Sequence, residues 1–289
     1  YNTHAVNASV SGSSEKISYL VSGNYLSSGG FSVASHDKST SPFDNDEFKQ
    51  KNTLVKLGFQ ASEQFDIDFI GGYDAFEADY DGGAFFDQDN QQLNNQFRVG
   101  LSPKYTYTKG KISLKTLLNL NDKEFISTYP SHNKGKNIQL DLVQEHQISN
   151  YLKGLWGVNY QDLSFKSVDV DEFSDNAFSM ADPYASLFFE NNTGWNIHAG
   201  VRLNSHSVYG SKFVYNLNPS YLLKATGDLS VKIIAAVSTS YITPSLYQLY
   251  SFYGNEALTP EESLNYEAGF SLYLNQKLEL NTSYFQREE

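Results

Sequence analysis

Residues 195 to 204 read Trp195, Asn196, Ile197, His198, Ala199, Gly200, Val201, Arg202, Leu203, Asn204, with every second residue apolar and those between small or polar. Successive side chains of an extended strand point to opposite faces, so this period of two describes a strand with one apolar and one polar face. Helical spacing fails. The same alternation runs through Leu229, Val231, Ile233, Ala235 and Val237, through Ile112, Leu114, Thr116, Leu118 and Leu120, and through Leu264, Tyr266, Ala268, Phe270, Leu272 and Leu274. The chain is therefore predicted to be all-β.

Turn-forming residues punctuate these runs in two sizes. Short connections centre near Gly12 to Lys16, Ser62 to Gln64, Thr108 to Lys111, Ser149 to Asn150, Asn191 to Gly194, Thr226 to Asp228 and Asn275 to Lys277. Longer ones fall at Ser27 to Gln50, Asp79 to Gln91, Ile126 to Lys136, Lys166 to Asn176, Ser205 to Lys212 and Ile242 to Ser263. Short and long alternate strictly, which predicts about fourteen antiparallel strands in a meander, with the tight turns at one end and the long loops at the other.

Composition narrows the setting. The chain has 289 residues, 40% hydrophobic with a mean hydropathy of -0.45, and no aliphatic run longer than Ile233 to Val237. A spanning helix needs about 20 apolar residues, so a helical membrane protein is excluded. At 15% aromatic it is too rich in Tyr and Phe to be disordered. A net charge of -12 argues against a nucleic-acid partner, which wants a basic stripe. Without Cys, any metal must be held by oxygen or imidazole ligands. The sequence opens on Tyr1 with no visible signal peptide, which is expected either of a processed chain or of an internal piece.

The asymmetry of the connections discriminates between β folds. Sandwiches and propellers spread their loops over both ends, whereas outer-membrane barrels have short periplasmic turns and long extracellular loops. The alternating runs also reach the ~9 to 11 residues that a tilted strand needs to cross the hydrocarbon layer. Tyr151, Trp156, Trp195, Tyr221 and Tyr284 near strand ends are candidates for the aromatic girdles. The expected fold is a transmembrane antiparallel β-barrel in a bacterial outer membrane. The strand holding Glu289 has no later partner in sequence, and an unpaired edge in lipid is forbidden, so further strands are expected. A soluble or surface-attached β-rich binding or adhesion protein is the rival of another class.

Thr239 to Gly269, TSYITPSLYQLYSFYGNEALTPEESLNYEAG, carries a long ordered motif. It resembles the strand, loop and strand signature of TonB-dependent outer-membrane receptors, A-P-x-L-x-x-L-Y, then G-N-x-x-L-x-P-E-x-S, then E-x-G. The matching positions are Pro244, Leu246, Leu249, Tyr250, Gly254, Asn255, Leu258, Pro260, Glu261, Ser263, Glu267 and Gly269, with Thr243 where the family has Ala. Gly200 to Asn218 is similar to the G-x-R-x-x-x-H-S-x-x-G hairpin that precedes that signature. The resemblance implies residues 1–289 as part of a 22-stranded barrel closed around an N-terminal plug. It also implies TonB as a partner through that plug, outer-membrane lipid around the wall, and ligand import without enzyme chemistry.

Within the family, the layout resembles the vitamin B12 (cobalamin) receptors more than the siderophore receptors. That resemblance implies calcium bound by aspartates of the early loops: Asp44 and Asp46 of an Asp-Asn-Asp run, Asp74 of Tyr73-Asp74, and Asp81 of Tyr80-Asp81. The family pattern also asks for an acid near Phe31 or Ser32, which this chain lacks. The chemistry stands on its own terms, since calcium takes six to eight oxygens and carboxylates on neighbouring loops can supply most of them. Asp79, Asp87 and Asp89 are nearby substitutes. For a large ligand with apolar faces, Tyr73, Tyr80, Tyr250 and Tyr253 are the candidate contacts, Tyr73 first among them. A siderophore or haem receptor is the alternative within the class, and a surface lipoprotein over the loops is a further candidate partner.

Catalysis is not expected. His198 and His206 have no metal-binding companions in sequence, no G-x-S-x-G occurs, and Ser131 with His132 lacks an acid at a meaningful spacing.

Overall fold

The computed structural model describes residues 2–35, 43–168, 176–224, 228–251, 254–275 and 277–289. Fourteen strands run in chain order: β1 Thr3–Ser13, β2 Ile17–Ser28, β3 Phe48–Gln60, β4 Phe65–Tyr80, β5 Asn90–Tyr107, β6 Gly110–Ile126 and β7 Ser131–Ser149. They continue as β8 Leu152–Ser167, β9 Asn176–Glu190, β10 Trp195–His206, β11 Gly210–Lys224, β12 Leu229–Ile242, β13 Glu261–Leu274 and β14 Leu278–Glu288. One short helix, α1 Leu246–Tyr250, interrupts the connection between β12 and β13. Every strand pairs with its sequence neighbours in one antiparallel sheet ordered β1 to β14.

Register sorts the side chains as the alternation requires. Phe69 pairs with Leu101, Leu101 with Thr116, Thr116 with Leu140, and Leu140 with Tyr160, so a continuous row faces outward. The outward face carries the exposed Val10, Leu57, Leu142, Val158, Val201, Leu217, Ile233 and Phe270. Hydrophobic side chains left this exposed on one whole face need a lipid solvent, not water. Most outward rows hold about five apolar residues, roughly 25 Å of height for a strand tilted near 45°. The girdle candidates Tyr151, Trp156 and Trp195 lie exposed at the short-turn end, with the Trp195 and Tyr221 rings 4.9 Å apart.

The inward face is polar and cross-braced. Asp74 on β4 pairs with Arg98 on β5 and accepts from the Asn52 amide at 2.5 Å. Glu145 on β7 binds Lys111 at 2.9 Å and Lys153 at 2.6 Å. Asp182 on β9 accepts from Arg202 Nε at 3.2 Å and Nη2 at 2.7 Å, and from the Ser205 amide at 3.0 Å. Arg202 of the G-x-R element thus braces two strands from inside.

Two of the six expected long connections are in fact tight. Residues 127–130 join β6 to β7, and 207–209 join β10 to β11, because the strands zip on to Phe125 opposite Ser131 and to His206 opposite Gly210. Their polar tips remain strands because they rise clear of lipid. There Asp122 pairs with His132 at 2.6 Å and Lys134 at 3.5 Å, and apolar alternation is no longer required.

Candidate functional site at the loop mouth

The connections 29–47 and 81–89 meet above β2 to β5. Ser28 ends β2, and Gly30 follows with φ of +54°, where a Cβ would fall 1.6 Å from the Asp46 carbonyl oxygen. Glycine alone lets the two limbs of the first loop cross so closely. Asp46 then accepts from the Val33 amide at 2.8 Å. The second loop docks on the first through the Ser35 amide to the Ala84 carbonyl at 2.7 Å.

Asp81 is the keystone of this contact. It accepts from the Ala34 amide at 2.8 Å, from the Ser32 hydroxyl at 3.2 Å and from the Gln88 amide at 3.4 Å. Desolvation opposes its charge, yet these donors hold its carboxyl below the usual carboxylate range. Desolvation pushes Asp46 the other way, upward, with Asp81 and Asp44 adding repulsion against the opposing Val33 hydrogen bond.

Carboxylate oxygens of Asp44, Asp81 and Asp87 lie within 4.8 Å of one another. Asp87 is pushed up to about 6, by desolvation first and then by Asp44 and Asp81. Three crowded carboxylates can offer up to six oxygens to a hard cation, which would relieve the repulsion that holds Asp87 high. The donor set fits calcium.

The sequence candidates divide between faces. Asp44 and Asp81 come together, Asp46 sits beside them, and Asp87, one of the nearby acids, completes the group. Asp74 lies elsewhere, on the inward face with Arg98. Tyr73 is also not at the mouth. β4 continues to Tyr80, so Tyr73 is mid-strand and outward, exposed, with its hydroxyl on Asn95 Oδ1 at 2.9 Å. Tyr80 faces inward at the top of β4, edge-on to Phe125 at 6.4 Å. Tyr253 lies outside the described residues. Ser32, missed in sequence, stands where the family pattern asks for an acid and supplies a hydroxyl to Asp81 instead.

Across the mouth, the signature segment folds inward. Ser245 caps α1 by a reciprocal box, accepting from the Gln248 amide at 3.3 Å while its own amide donates to Gln248 Oε1 at 2.9 Å. Leu246 and Leu249 are buried, and α1 packs against β8 and β9, three to five strands away from β12 and β13, which it joins. Such a contact requires the sheet to curl, which places α1 within the concave mouth.

Gly254 allows the chain to return past the helix, because a Cβ there would sit 2.5 Å from the Leu249 carbonyl oxygen. The Asn255 amide donates to Gln248 O at 2.8 Å, and Tyr209 Oη reaches Leu258 O at 3.1 Å. Pro260 leads into β13, which starts at Glu261. Ser263 is buried against Ser240 Oγ at 2.6 Å. Glu267 and Gly269 face inward on β13, and Gly269 leaves no room for a Cβ beside Thr282 O. Pro244 immediately precedes the cap. The signature is thus largely a device for seating one loop. Tyr250, at the end of α1, is close enough to Tyr209 to help raise its pKa, after desolvation.

An antiparallel meander with an apolar outer band, a polar inner face and loops gathered at one end defines the wall of an outer-membrane β-barrel. The chain belongs to the TonB dependent receptor-like β-barrel family, whose model matches residues 6–288. It is therefore an outer-membrane protein of the Gram-negative type. Among curated relatives it is similar to the vitamin B12 transporter BtuB of Photobacterium profundum, at 25% identity over 236 residues, covering 79% of this chain and 37% of that protein. Among solved structures it superposes on the siderophore receptor PirA of Acinetobacter baumannii with a TM-score of 0.78, at 15% identity over 99% of this chain and 50% of that one. The FrpB iron transporter of Neisseria meningitidis gives 0.76 at 12% identity, over 98% and 52%. The chain thus spans about half the length of these solved structures, and the likeness to them is one of fold.

Proposed function

We propose that this chain is barrel wall and ligand mouth of a receptor that binds cobalamin or a related corrinoid at its extracellular loops, for import driven by TonB through a plug domain. The observation that carries this reading is the oxygen-rich junction of Asp44, Asp81 and Asp87 between the two early loops. Calcium held there would offset most of the negative charge of the three carboxylates and lock loop 29–47 to loop 81–89. Asp81 keeps its backbone donors and so anchors the site, whereas Asp44 and Asp87 supply the remaining charge. An acidic mouth repels anionic ferric siderophores, which favour basic ones. The likeness to a vitamin B12 transporter adds to this support.

Equilibrium binding by the full-length receptor tests the reading, with cyanocobalamin set against a ferric siderophore panel, each with calcium and with chelator. Cobalamin alone is expected to bind, and more tightly with calcium. In the Asp44→Asn, Asp87→Asn double variant that calcium dependence is expected to vanish. Binding of a siderophore without cobalamin would transfer the protein to the alternative reading. Calcium-indifferent cobalamin binding would remove the metal while leaving the ligand.

A further inference from the structure

The hairpin element Gly200, Arg202, His206, Ser207 and Gly210 is only partly accounted for by the Arg202 brace. His206 ends β10 beyond Leu203, the last apolar residue of its outward face, and so stands on the inward side of the strand tip, above the lipid band. It is 5% exposed, between the rings of Phe178 at 4.4 Å and Tyr209 at 5.0 Å. Ser207 pins the turn to β9, its amide donating to Ser179 O at 2.9 Å and its Oγ accepting from the Ser179 amide at 3.0 Å. Gly210 closes the turn with φ of +72°.

The two ring nitrogens of His206 have unequal tasks. Nδ1 accepts from the Val208 amide at 3.1 Å and from the Tyr209 amide at 3.3 Å. A nitrogen that accepts carries no proton, so the neutral ring holds its hydrogen on Nε2, which has no hydrogen-bond partner among the described residues. Tyr209, positioned by that cap, donates its hydroxyl to Leu258 O at 3.1 Å, 49 residues on in the signature segment. Strand tip and signature loop are thus joined through one imidazole. Protonation would undo the join, because it puts a hydrogen on Nδ1 facing two amide hydrogens. Attraction of the charged ring to the flanking aromatic faces offsets part of the cost but does not restore the acceptor. Desolvation accordingly holds His206 below the usual histidine range, against an opposing pull from Asp182. That carboxylate is the charged group facing it from β9, and it is already bound by Arg202 and the Ser205 amide. From β11 the residue opposite is Gly210, while Lys212 is paired with Glu262 of β13 at 2.5 Å. Tyr241 of β12 and Tyr250 of α1 lie by Tyr209.

We propose that neutral His206 is the positioning residue that holds the 243–260 loop across the mouth through Tyr209, and that its protonation in mildly acid medium releases that loop. The released state takes up a proton near the ordinary histidine value of about 6.5, and the latched state only at lower pH. The latch is therefore fully present above that value and is lost as pH falls below it. The metal-free junction of loops 29–47 and 81–89 has the opposite sign, since protonation of Asp87 relieves its repulsion, so the two responses are separable by segment. The connection through Tyr209 also accounts for the spacing of the hairpin element: His206 caps the turn, Ser207 fixes it to β9, and Gly210 supplies the left-handed residue that lets it close.

The test is hydrogen exchange of the full-length receptor in mild detergent with chelator, at about pH 7.5 and about pH 5.5, either side of the ordinary histidine value. Mass spectrometry, corrected for the intrinsic pH dependence of exchange, reads opening of residues 246–251 and 254–260, with the amides of β12 and β13 as internal reference. Wild type is expected to open roughly five- to tenfold more at the lower pH in those segments, with the reference unchanged. His206→Asn keeps an oxygen that accepts from the amide two residues on but does not titrate, so it should stay closed at both pH values. Because that variant retains Asp182, it also separates the two groups. Tyr209→Phe, which loses the hydroxyl alone, should be open at both. A flat wild-type profile, or acid opening of equal size in His206→Asn, would overturn the proposal, as would Tyr209→Phe as closed as wild type at the higher pH. Each readout is independent of cobalamin and calcium.

Discussion

The two ends of each hairpin obey different rules, and the contrast between wall and mouth explains most of this molecule. In the wall, lipid on one side and a polar lumen on the other enforce alternation at every step, so a shift of one residue would exchange the two faces. At the mouth no solvent boundary sorts the residues. Loops 29–47 and 81–89 are held instead by individual amides, hydroxyls and carboxylates, and the 243–260 connection by a capped turn of helix and two buried leucines.

The largest effect is expected in the wall. Ile233→Lys, at an outward mid-band position, should cost about 2–4 kcal/mol in chemical unfolding of the full-length receptor from lipid vesicles. The same change at the adjacent inward Ile234 should cost far less. Equal costs would end the distinction between the faces. Next comes the anchor of the signature loop. Leu249→Ala should weaken α1 docking by about 2 kcal/mol, the low end for a buried leucine. Because that loss is local, it should appear as faster protease cutting within 243–260 with little change in global unfolding. A global loss of the same size would mean that the loop and the wall form one cooperative unit.

Acidification probes the carboxylate junction. Asp87 must lose its proton to serve a cation, and its raised value of about 6 sets the window. Calcium affinity should fall about tenfold from pH 7 to pH 5 as protons compete for that one group. Without metal the sign reverses, since a raised carboxyl favours the protonated fold, and loop order should improve as pH falls through 6. Titration by calorimetry and by loop proteolysis reads both directions; a flat profile would detach Asp87 from the site. The smallest expected effect belongs to Ser245→Ala, which removes the cap of a five-residue helix at about 1 kcal/mol or less. Proteolysis should follow Leu249→Ala in direction but not in size.

Legibility followed the same division. Strand number, meander order and the tight-turn end were readable because alternation and turn residues are local signals tied to the solvent on each face. The long-connection end was read less well at 127–130 and 207–209, where hairpins above the membrane continue on polar pairs such as Asp122 with Lys134. Asp44 and Asp81 were reachable through resemblance, yet their meeting with Asp87 depends on how two loops fold against each other. Tyr73 shows how fragile such placement is. Its neighbour Asp74 points inward to Arg98, while Tyr73 itself points out towards lipid, so one residue of parity separates a lumen side chain from a membrane one.

Period two and turn chemistry, both properties of neighbouring residues, settled a fourteen-stranded antiparallel sheet with an apolar outer face, and an ordered motif settled the family. Folding in three dimensions decided which acids share a site, why the signature residues are spaced as they are, and how the tip of β10 reaches the signature loop. Those outcomes rest on contacts between segments tens of residues apart, such as Ala34 with Asp81, Tyr209 with Leu258 and α1 with β9, whose geometry no local pattern encodes.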